Sequence, residues 1–278
     1  MISSGLQEGE EPENDFALVW LSYSVHGNES SSTEAAMETL YSFSNTSNKN
    51  TMEWLKRTVL IIDPCMNPDG RDRYVQFYTM TGTNPPSADV STREHDEPWP
   101  SGRTNHYHFD LNRDWTWLTQ KETSQRMKLY NSWMPHIHVD YHEQNFDEPY
   151  YFAPAARPYH NQITSWQREL QKIIGKNHAR YFDKNNWLYF TKEHFDLLYP
   201  GYGDTYPIYN GAIGMTYEKA GGGAGGISVA TSDGDTLTLR SRIKHHHITG
   251  LSTVESAYKH KDRIIKEFKY FFKKGLDN

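Results

Sequence analysis

Polar side chains that could bind a metal ion follow three apolar stretches of this sequence, at points where strands are expected to end. The stretches and the groups behind them are 16–24 with His26-Gly-Asn-Glu29, 136–141 with His142, and 213–217 with Glu218. Ligands of parallel α/β sheets bind beyond the carboxyl ends of the strands, so these groups are expected to lie together. An imidazole and a carboxylate three positions apart, such as His26 and Glu29, can reach one cation. A second imidazole from another strand would complete a His2Glu set with an open position, which is an established catalytic zinc site.

Each of these groups also has an ordinary structural interpretation. An isolated HxxE pair is more often a solvated turn than a metal site, and the position of these groups at three strand ends is what favours metal binding. Glu218 stands between an apolar strand and the glycine-rich run 221–226, where burying a carboxylate is costly unless it is paired or used. It is either an ion-pair partner of Lys219 or a nearby arginine, or a general base that activates a zinc-bound water. The sequence contains no HExxH, which excludes the helical zinc site of that motif.

Two arginines follow the long polar segment in the middle of the chain. Arg103 lies in Gly102-Arg-Thr-Asn105, and Arg113 lies in Asp110-Leu-Asn-Arg-Asp-Trp115. The forked guanidinium group binds carboxylates through two parallel hydrogen bonds, so both arginines are candidates for substrate recognition. The alternative is that they only pair with acidic neighbours such as Asp110.

The elements that must position these groups alternate between strand and helix. Apolar strands are expected at 16–24, 57–62, 136–141 and 213–218, and helical composition is found at 33–43, 121–133 and 157–181. Near-continuous apolar strands that alternate with helices are typical of a mostly parallel sheet. We therefore predict an α/β fold in one domain, residues 1–278, with a mixed, mostly parallel twisted sheet flanked by helices.

The connecting segments give further expectations. Residues 79–105 are expected to form a long loop, and Asn67-Pro-Asp-Gly70 a turn. Apolar residues at helical spacing predict a C-terminal helix over 252–274. The run His245-His-His247 is expected to lie in solvent where that helix begins.

Composition limits the classes of protein that need to be considered. The chain has 278 residues and a formal charge of −6, which argues against a protein that binds the phosphate backbone of nucleic acid. No apolar run approaches the ~18 residues of a membrane span. The lone cysteine, Cys65, excludes an internal disulfide framework and a multi-cysteine zinc cluster.

Six motifs in order resemble the zinc metallocarboxypeptidase family, that of carboxypeptidases A, B and E. They are His26-Gly-Asn-Glu29, Asn67-Pro-Asp-Gly70, Gly102-Arg-x-Asn105, Asp110-Leu-Asn-Arg113, Asp140-Tyr-His142 and Thr216-Tyr-Glu218. The resemblance covers roughly residues 16 to 220. It implies a zinc carboxypeptidase-like domain that hydrolyses peptide bonds and takes a peptide or protein substrate with a free C-terminus.

The resemblance also implies roles for individual residues. By it, one zinc ion is bound by His26, Glu29 and His142. Arg103 polarises the scissile carbonyl, and Glu218 is the general base. Asn112 and Arg113 bind the terminal carboxylate of the substrate. A mobile tyrosine before the catalytic glutamate is expected to be Tyr202, with Tyr206 as the second choice.

The sequence departs from the family at several points. Only 25 residues precede His26, where the family usually has a strand, a helix and a strand, so N-terminal sheet elements are expected to be missing or the chain to be truncated. Residues 1–14 are expected to be disordered and show no basic and apolar regions of a signal peptide, although the resemblance implies a secreted or periplasmic location. Glu143 follows His142, where serine or asparagine is more usual.

Three functions stay open at this point. The first is a zinc exopeptidase, and the second is an N-acyl amino acid amidohydrolase of the aspartoacylase or succinylglutamate desuccinylase type, which shares HxxE and DLNR. The third is a binding module that keeps the fold without the chemistry. For an exopeptidase, Asp204 either faces the substrate pocket and favours a C-terminal Lys or Arg, or faces solvent and caps a turn.

Overall fold

Three parallel strands form the centre of a six-stranded sheet in the computed structural model, which describes residues 15–276. The strands are β1 (Ala17–Tyr23), β2 (Thr58–Asp63), β3 (Ile137–Gln144), β4 (Tyr150–Tyr151), β5 (Tyr189–Phe190) and β6 (Ile213–Ala220). Their order is β2-β1-β3-β6-β4-β5, and β4 alone runs antiparallel to its neighbour β6. The predicted fold class, a mixed and mostly parallel sheet, is confirmed. The expectation for residues 1–14 lies outside the described residues.

Helices cover both faces of the central strands. Alternate residues of β1, among them Val19 and Leu21, face α1 (Ser31–Ser44), α5 (Ser165–Asn185) and α7 (Leu239–Leu276) in the larger apolar core. The residues between them, such as Trp20, face α4 (Lys121–Trp133) in a second core. Because successive side chains of a strand point to opposite faces, this double burial explains the near-continuous apolar runs.

The remaining elements are short and mostly lie in the connections. They are α2 (Lys49–Trp54), α3 (Pro68–Thr81), α6 (Tyr206–Tyr209), the hairpin of β7 (Ser228–Ala230) and β8 (Thr236–Thr238), and two single 3-10 turns at Arg93–His95 and Leu111–Arg113. No helix within residues 15–276 has both the length and the apolar character that a membrane span needs.

The segment at Asn67 differs from its sequence-based prediction. It begins the helix α3 instead of forming only a turn, because the Asn67 side chain accepts a hydrogen bond from the Gly70 N–H and Pro68 occupies the first helical turn. Asparagine before proline is also a pattern of helix starts, and the missing N–H of proline costs nothing there. The loop predicted to start at 79 therefore starts after Thr81.

The C-terminal helix also differs from expectation. It begins at Leu239, thirteen residues before the predicted start, and carries the triple histidine within it. His246 is fully buried, and its Nδ1 lies 2.8 Å from the Tyr150 hydroxyl. The prediction of a solvated histidine run was therefore wrong, because this part of α7 packs against the sheet.

Candidate metal centre and active site

The carboxyl ends of β1, β3 and β6 meet at one edge of the sheet and enclose a pocket of about 440 Å³. In the register of β3 and β6, His142 lies directly opposite Glu218. Eight of the nine predicted site residues line this pocket, namely His26, Glu29, Arg103, Asn112, Arg113, His142, Tyr202 and Glu218. The ninth, Tyr206, lies outside the lining and packs against Trp115, with ring centroids 5.9 Å apart.

The turn after β1 carries two of the candidate ligands. The Glu29 N–H donates to the His26 carbonyl at 3.2 Å, and the Ser32 N–H donates to the Glu29 carbonyl at 3.3 Å as α1 begins. A side chain at Gly27 would overlap the backbone nitrogen of Arg71 in α3. The glycine of the HxxE motif is therefore required by the close approach of two backbones.

His26, Glu29 and His142 form a compact donor set. The Nδ1 atom of His26 lies 2.7 Å from one Glu29 carboxylate oxygen, and the Nδ1 atom of His142 lies 3.1 Å from the other. The ligand atoms of all three side chains lie within 4.8 Å of one another, and all three residues are buried. Neutral imidazole and carboxylate are the ligand types of catalytic zinc sites.

The other nitrogen of each imidazole faces a carboxylate. The His26 Nε2 lies 3.0 Å from an oxygen of Asp110, and the His142 Nε2 lies 2.9 Å from an oxygen of Asp140. With the ring proton on Nε2, each Nδ1 keeps its lone pair for a cation. The donor set and its surroundings therefore fit a divalent metal ion, and this contact of Asp140 was not foreseen from the sequence.

Charge interactions dominate the titration of this group. Burial raises the pKa of Glu29, but the His26 and His142 imidazoles outweigh burial and hold it well below its ordinary value. Burial lowers the pKa of His142, and the Asp140 and Glu29 carboxylates outweigh it and raise that pKa well above its ordinary value. In the metal-free state each group thus stabilises the charged form of the others, and a bound cation would take the place of the extra imidazole proton.

Arg103 reaches the metal centre through Asp110. Its Nε and Nη2 atoms donate to one Asp110 oxygen at 3.2 and 3.0 Å, while the other oxygen of this carboxylate faces His26. The Nη1 atom lies 3.9 Å from Glu29, and the side chain is 42% exposed. A guanidinium that is fixed in place, next to the candidate metal and open to the pocket, can polarise a substrate carbonyl.

The neighbouring 3-10 turn presents Asn112 and Arg113. The Asn112 side chain accepts a hydrogen bond from the Gly203 N–H at 2.8 Å, which fixes the loop before α6 against the pocket. The Arg113 guanidinium lies 4.5 Å from the Tyr202 ring centroid and is 48% exposed. This arrangement leaves the Arg113 fork available for an anion at the mouth of the pocket.

Glu218 lies in the pocket wall without a lysine or arginine partner among the described residues. Its residue exposure is 8%, and the Thr216 hydroxyl lies 3.3 Å from one of its carboxylate oxygens. Burial raises the pKa of Glu218 to about 8, opposed by His142. The first sequence-based interpretation, an ion pair of Glu218 with Lys219 or an arginine, is not found among residues 15–276, where its carboxylate contacts the Thr216 hydroxyl.

Asp204 is a further carboxylate in the pocket wall. It is 7% exposed, and one of its oxygens accepts a hydrogen bond from the Thr205 hydroxyl at 2.8 Å. Burial raises the pKa of Asp204 to about 6, and the Thr205 hydrogen bond opposes this shift. Asp204 therefore faces the pocket, as in the first of its two predicted positions, and does not face solvent.

The chain matches the sequence profile of the zinc carboxypeptidase family over residues 2–187. The matched range includes the three candidate ligands and Arg103, Asn112 and Arg113, and it ends before Tyr202 and Glu218. No curated protein matches the chain.

Similar solved structures are metallocarboxypeptidases of low sequence identity. A metallo-carboxypeptidase from Burkholderia cenocepacia is 16% identical with a TM-score of 0.63, over 91% of this chain and 60% of that one. A Pseudomonas aeruginosa metallo-carboxypeptidase in complex with (2-guanidinoethylmercapto)succinic acid is 13% identical with a TM-score of 0.61, over 92% and 60%. Bovine thrombin-activatable fibrinolysis inhibitor, in complex with tick carboxypeptidase inhibitor, is 17% identical with a TM-score of 0.57, over 90% and 83%. This chain thus spans about 60% of the length of the first two.

Proposed function

This chain belongs to the zinc carboxypeptidase family, and on that premise we propose that it is a zinc-dependent peptidase that releases C-terminal residues from peptides. The observation that carries the proposal is one pocket that holds a His2Glu donor set, an unpaired carboxylate and two accessible guanidinium groups. Each group has a separate part in the hydrolysis of a peptide bond with a free carboxylate beside it.

Zinc is the metal that this donor set suits best. His26, Glu29 and His142 would hold the ion, and Asp110 and Asp140 would orient the two imidazoles. A bound zinc ion supplies Lewis acidity, which lowers the pKa of a nearby water and polarises a carbonyl. The open side of the site faces the pocket.

Glu218 is the general base in this proposal. Burial raises its pKa, which makes this carboxylate a stronger base than a free glutamate, and it lies opposite His142 in the pocket. It takes a proton from the attacking water and delivers it to the leaving amine. Arg103 donates hydrogen bonds to the carbonyl oxygen as negative charge develops there.

Asn112 and Arg113 select the end of the substrate. The Arg113 fork can bind the terminal carboxylate through two hydrogen bonds, and the Asn112 amide is already fixed beside it by Gly203. Tyr202 stacks on Arg113 and would close over the bound residue. This recognition requires a free C-terminus.

A preference for basic C-terminal residues follows from the charges of the pocket. Besides the metal ligand Glu29, its walls contain further acidic residues: Asp140, Glu143, Asp196, Asp204 and Glu218. Asp204 has no lysine or arginine partner among the described residues and lies on the loop that Asn112 holds. A Lys or Arg side chain would supply the missing charge in a site of low dielectric constant.

The decisive experiment compares one peptide series with free and amidated C-termini. Zinc-loaded wild-type protein should release the last residue of the free peptides and cleave the amidated ones poorly, while Glu218→Gln should bind zinc normally and lose activity about 100-fold or more. Equal cleavage of both series would refute C-terminal recognition. Preferential cleavage of N-acyl amino acids would favour the amidohydrolase function instead.

A further inference from the structure

A fully buried ion pair lies beside the candidate metal centre and joins it to the C-terminal helix. Glu143 follows the ligand His142 on β3, and Arg242 lies in the first turn of α7. The Arg242 Nη1 atom lies 3.0 Å from both Glu143 carboxylate oxygens, and neither side chain has any exposed surface. The two residues are 99 positions apart in the sequence.

Glu143 holds Glu29 and the helix that follows it. Its backbone N–H donates to a Glu29 carboxylate oxygen at 2.9 Å. Its side chain accepts hydrogen bonds from the Ser31 N–H, at 3.1 Å, and from the Ser31 hydroxyl. The Ser30 side chain does not cap the start of α1. The Glu143 carboxylate, which lies on β3, therefore accepts the hydrogen bond that a capping side chain would otherwise accept.

Arg242 connects Glu143 to the glycine-rich turn 221–226 that follows β6. Its Nη2 donates to the Gly226 carbonyl, and its Nη1 lies 3.4 Å from the Ser30 hydroxyl. A side chain at Gly225 would come within 2.7 Å of the guanidinium carbon. The glycine-rich turn 221–226 can therefore close over the ion pair only because it lacks side chains at such positions.

Stability alone gives a poor account of this ion pair. Removing two charges from water is expensive, and apolar residues of similar volume are often as stabilising or more so. The contacts of the ion pair fix the positions of four segments relative to one another, namely β3, the start of α1, the turn after β6 and α7. His142 lies on β3, Glu29 lies two residues before α1, and Glu218 lies on β6 just before that turn.

We propose that Glu143 and Arg242 are positioning residues for the zinc site, which set the place of Glu29 before the metal binds. This inference rests on the proposed zinc function, since the ion pair would have nothing to position without it. The affinity for zinc then depends on an arginine of the C-terminal helix that touches no ligand. Outer contacts of this kind are worth about 10–100-fold in metal affinity.

The test measures zinc affinity on folded metal-free protein by competition with a chelator. Glu143→Gln keeps the shape but loses the charge, and Glu143→Leu with Arg242→Met removes both charges and restores an apolar contact. We expect zinc binding to weaken about 10-fold in the first and up to 100-fold in the second, while the second is no less stable than the first without metal, because no charge is left buried without its partner. Thus the double variant carries the test even if Glu143→Gln does not fold.

The matched control is Ile174→Ala, a fully buried residue of α5 in the larger core. It should lower the melting temperature of the metal-free protein clearly, because it leaves a cavity in the core, and leave the zinc affinity within twofold of wild type. Unchanged zinc affinity in the double variant, or an equal loss in Ile174→Ala, would overturn the positioning role. A wild-type protein that binds no zinc would instead refute the proposed function.

Discussion

Replacing Asp204 with asparagine should make the protein more stable and less selective at the same time. Asp204 is 7% exposed, and its pKa lies at about 6 where an exposed aspartate titrates near 3.8. At pH 7.5 the folded state must hold a charge that burial disfavours. A shift of about two units corresponds to about 3 kcal/mol of lost stability.

The sign of this effect follows from the protons that each state binds. Between pH 4 and 6 the folded protein binds more protons at Asp204 than the unfolded chain does, so this group destabilises the fold increasingly as the pH rises. The penalty is about 3 kcal/mol at pH 7.5 and about 1 kcal/mol at pH 4.5. Asp204→Asn removes it, and the Thr205 hydroxyl can still donate to the amide oxygen.

Urea denaturation of metal-free wild type and Asp204→Asn at these two pH values tests the argument. The variant should be more stable, and its advantage should shrink by about 2 kcal/mol at the lower pH. Groups that do not interact with Asp204 cancel in this difference, while Asp140 raises and His142 lowers the pKa of Asp204 by smaller amounts than burial does. An advantage that is equal at both pH values, or none at pH 7.5, would show that Asp204 is not a buried charge.

The same substitution tests specificity. With peptides that end in Lys, Arg, Phe or Leu, wild-type protein should prefer the basic pair, and Asp204→Asn should lose that preference while still cleaving Phe and Leu. An unchanged ratio of basic to aromatic cleavage would remove Asp204 from the substrate pocket. Asp204→Asn would then increase stability and reduce selectivity, because binding pockets commonly keep charges that function needs and that destabilise the fold.

Three further outcomes test other parts of the site. His26→Ala with His142→Ala should abolish stoichiometric zinc in the purified protein as measured by metal analysis, and retained zinc would place the ion elsewhere. Arg113→Ala should raise KM for peptides with a free C-terminus by about 10–100-fold, because a charged hydrogen bond worth about 1.5–3 kcal/mol is lost. The weak cleavage of amidated peptides should not change. Equal effects on both kinds of peptide would contradict carboxylate binding by Arg113. Gly27→Ala should lower both the melting temperature and zinc affinity, because its side chain would displace the start of α3, whereas Gly275→Ala, with open space around it, should change neither by more than a small amount.

Sequence patterns predicted the core of the fold and the grouping of His26, Glu29 and His142 because both depend on local signals. The apolar runs that became β1, β3 and β6 end where polar side chains begin, and parallel strands bring such ends together. The start of α3 was missed because asparagine followed by proline is typical of turns as well as of helix starts. Choosing between Tyr202 and Tyr206 was equally ambiguous, since only packing decides that Tyr202 lines the pocket while Tyr206 contacts Trp115.

The ion pair of Glu143 with Arg242 could not be predicted from the sequence. Arg242 lies 99 positions away, in a segment that shows no strong apolar period and was not assigned to the helix. The long-range contact depends on how α7 crosses the sheet, which no local pattern encodes. For Asp140 a signal did exist, because a residue two positions before His142 on a strand shares its face.

The order of the central strands along the chain has a consequence for biosynthesis. β1 brings His26 and Glu29 early, and His142 arrives on the strand that pairs directly with β1, but Glu218 is synthesised 76 residues after His142. A growing chain thus completes its three metal donors well before β6 can dock on β3. Metal that binds at that stage favours the docked β1–β3 pair by mass action. Under the proposed function, the growing chain would thus hold its metal ion before it gains Glu218, and hydrolysis would start only after β6 has docked.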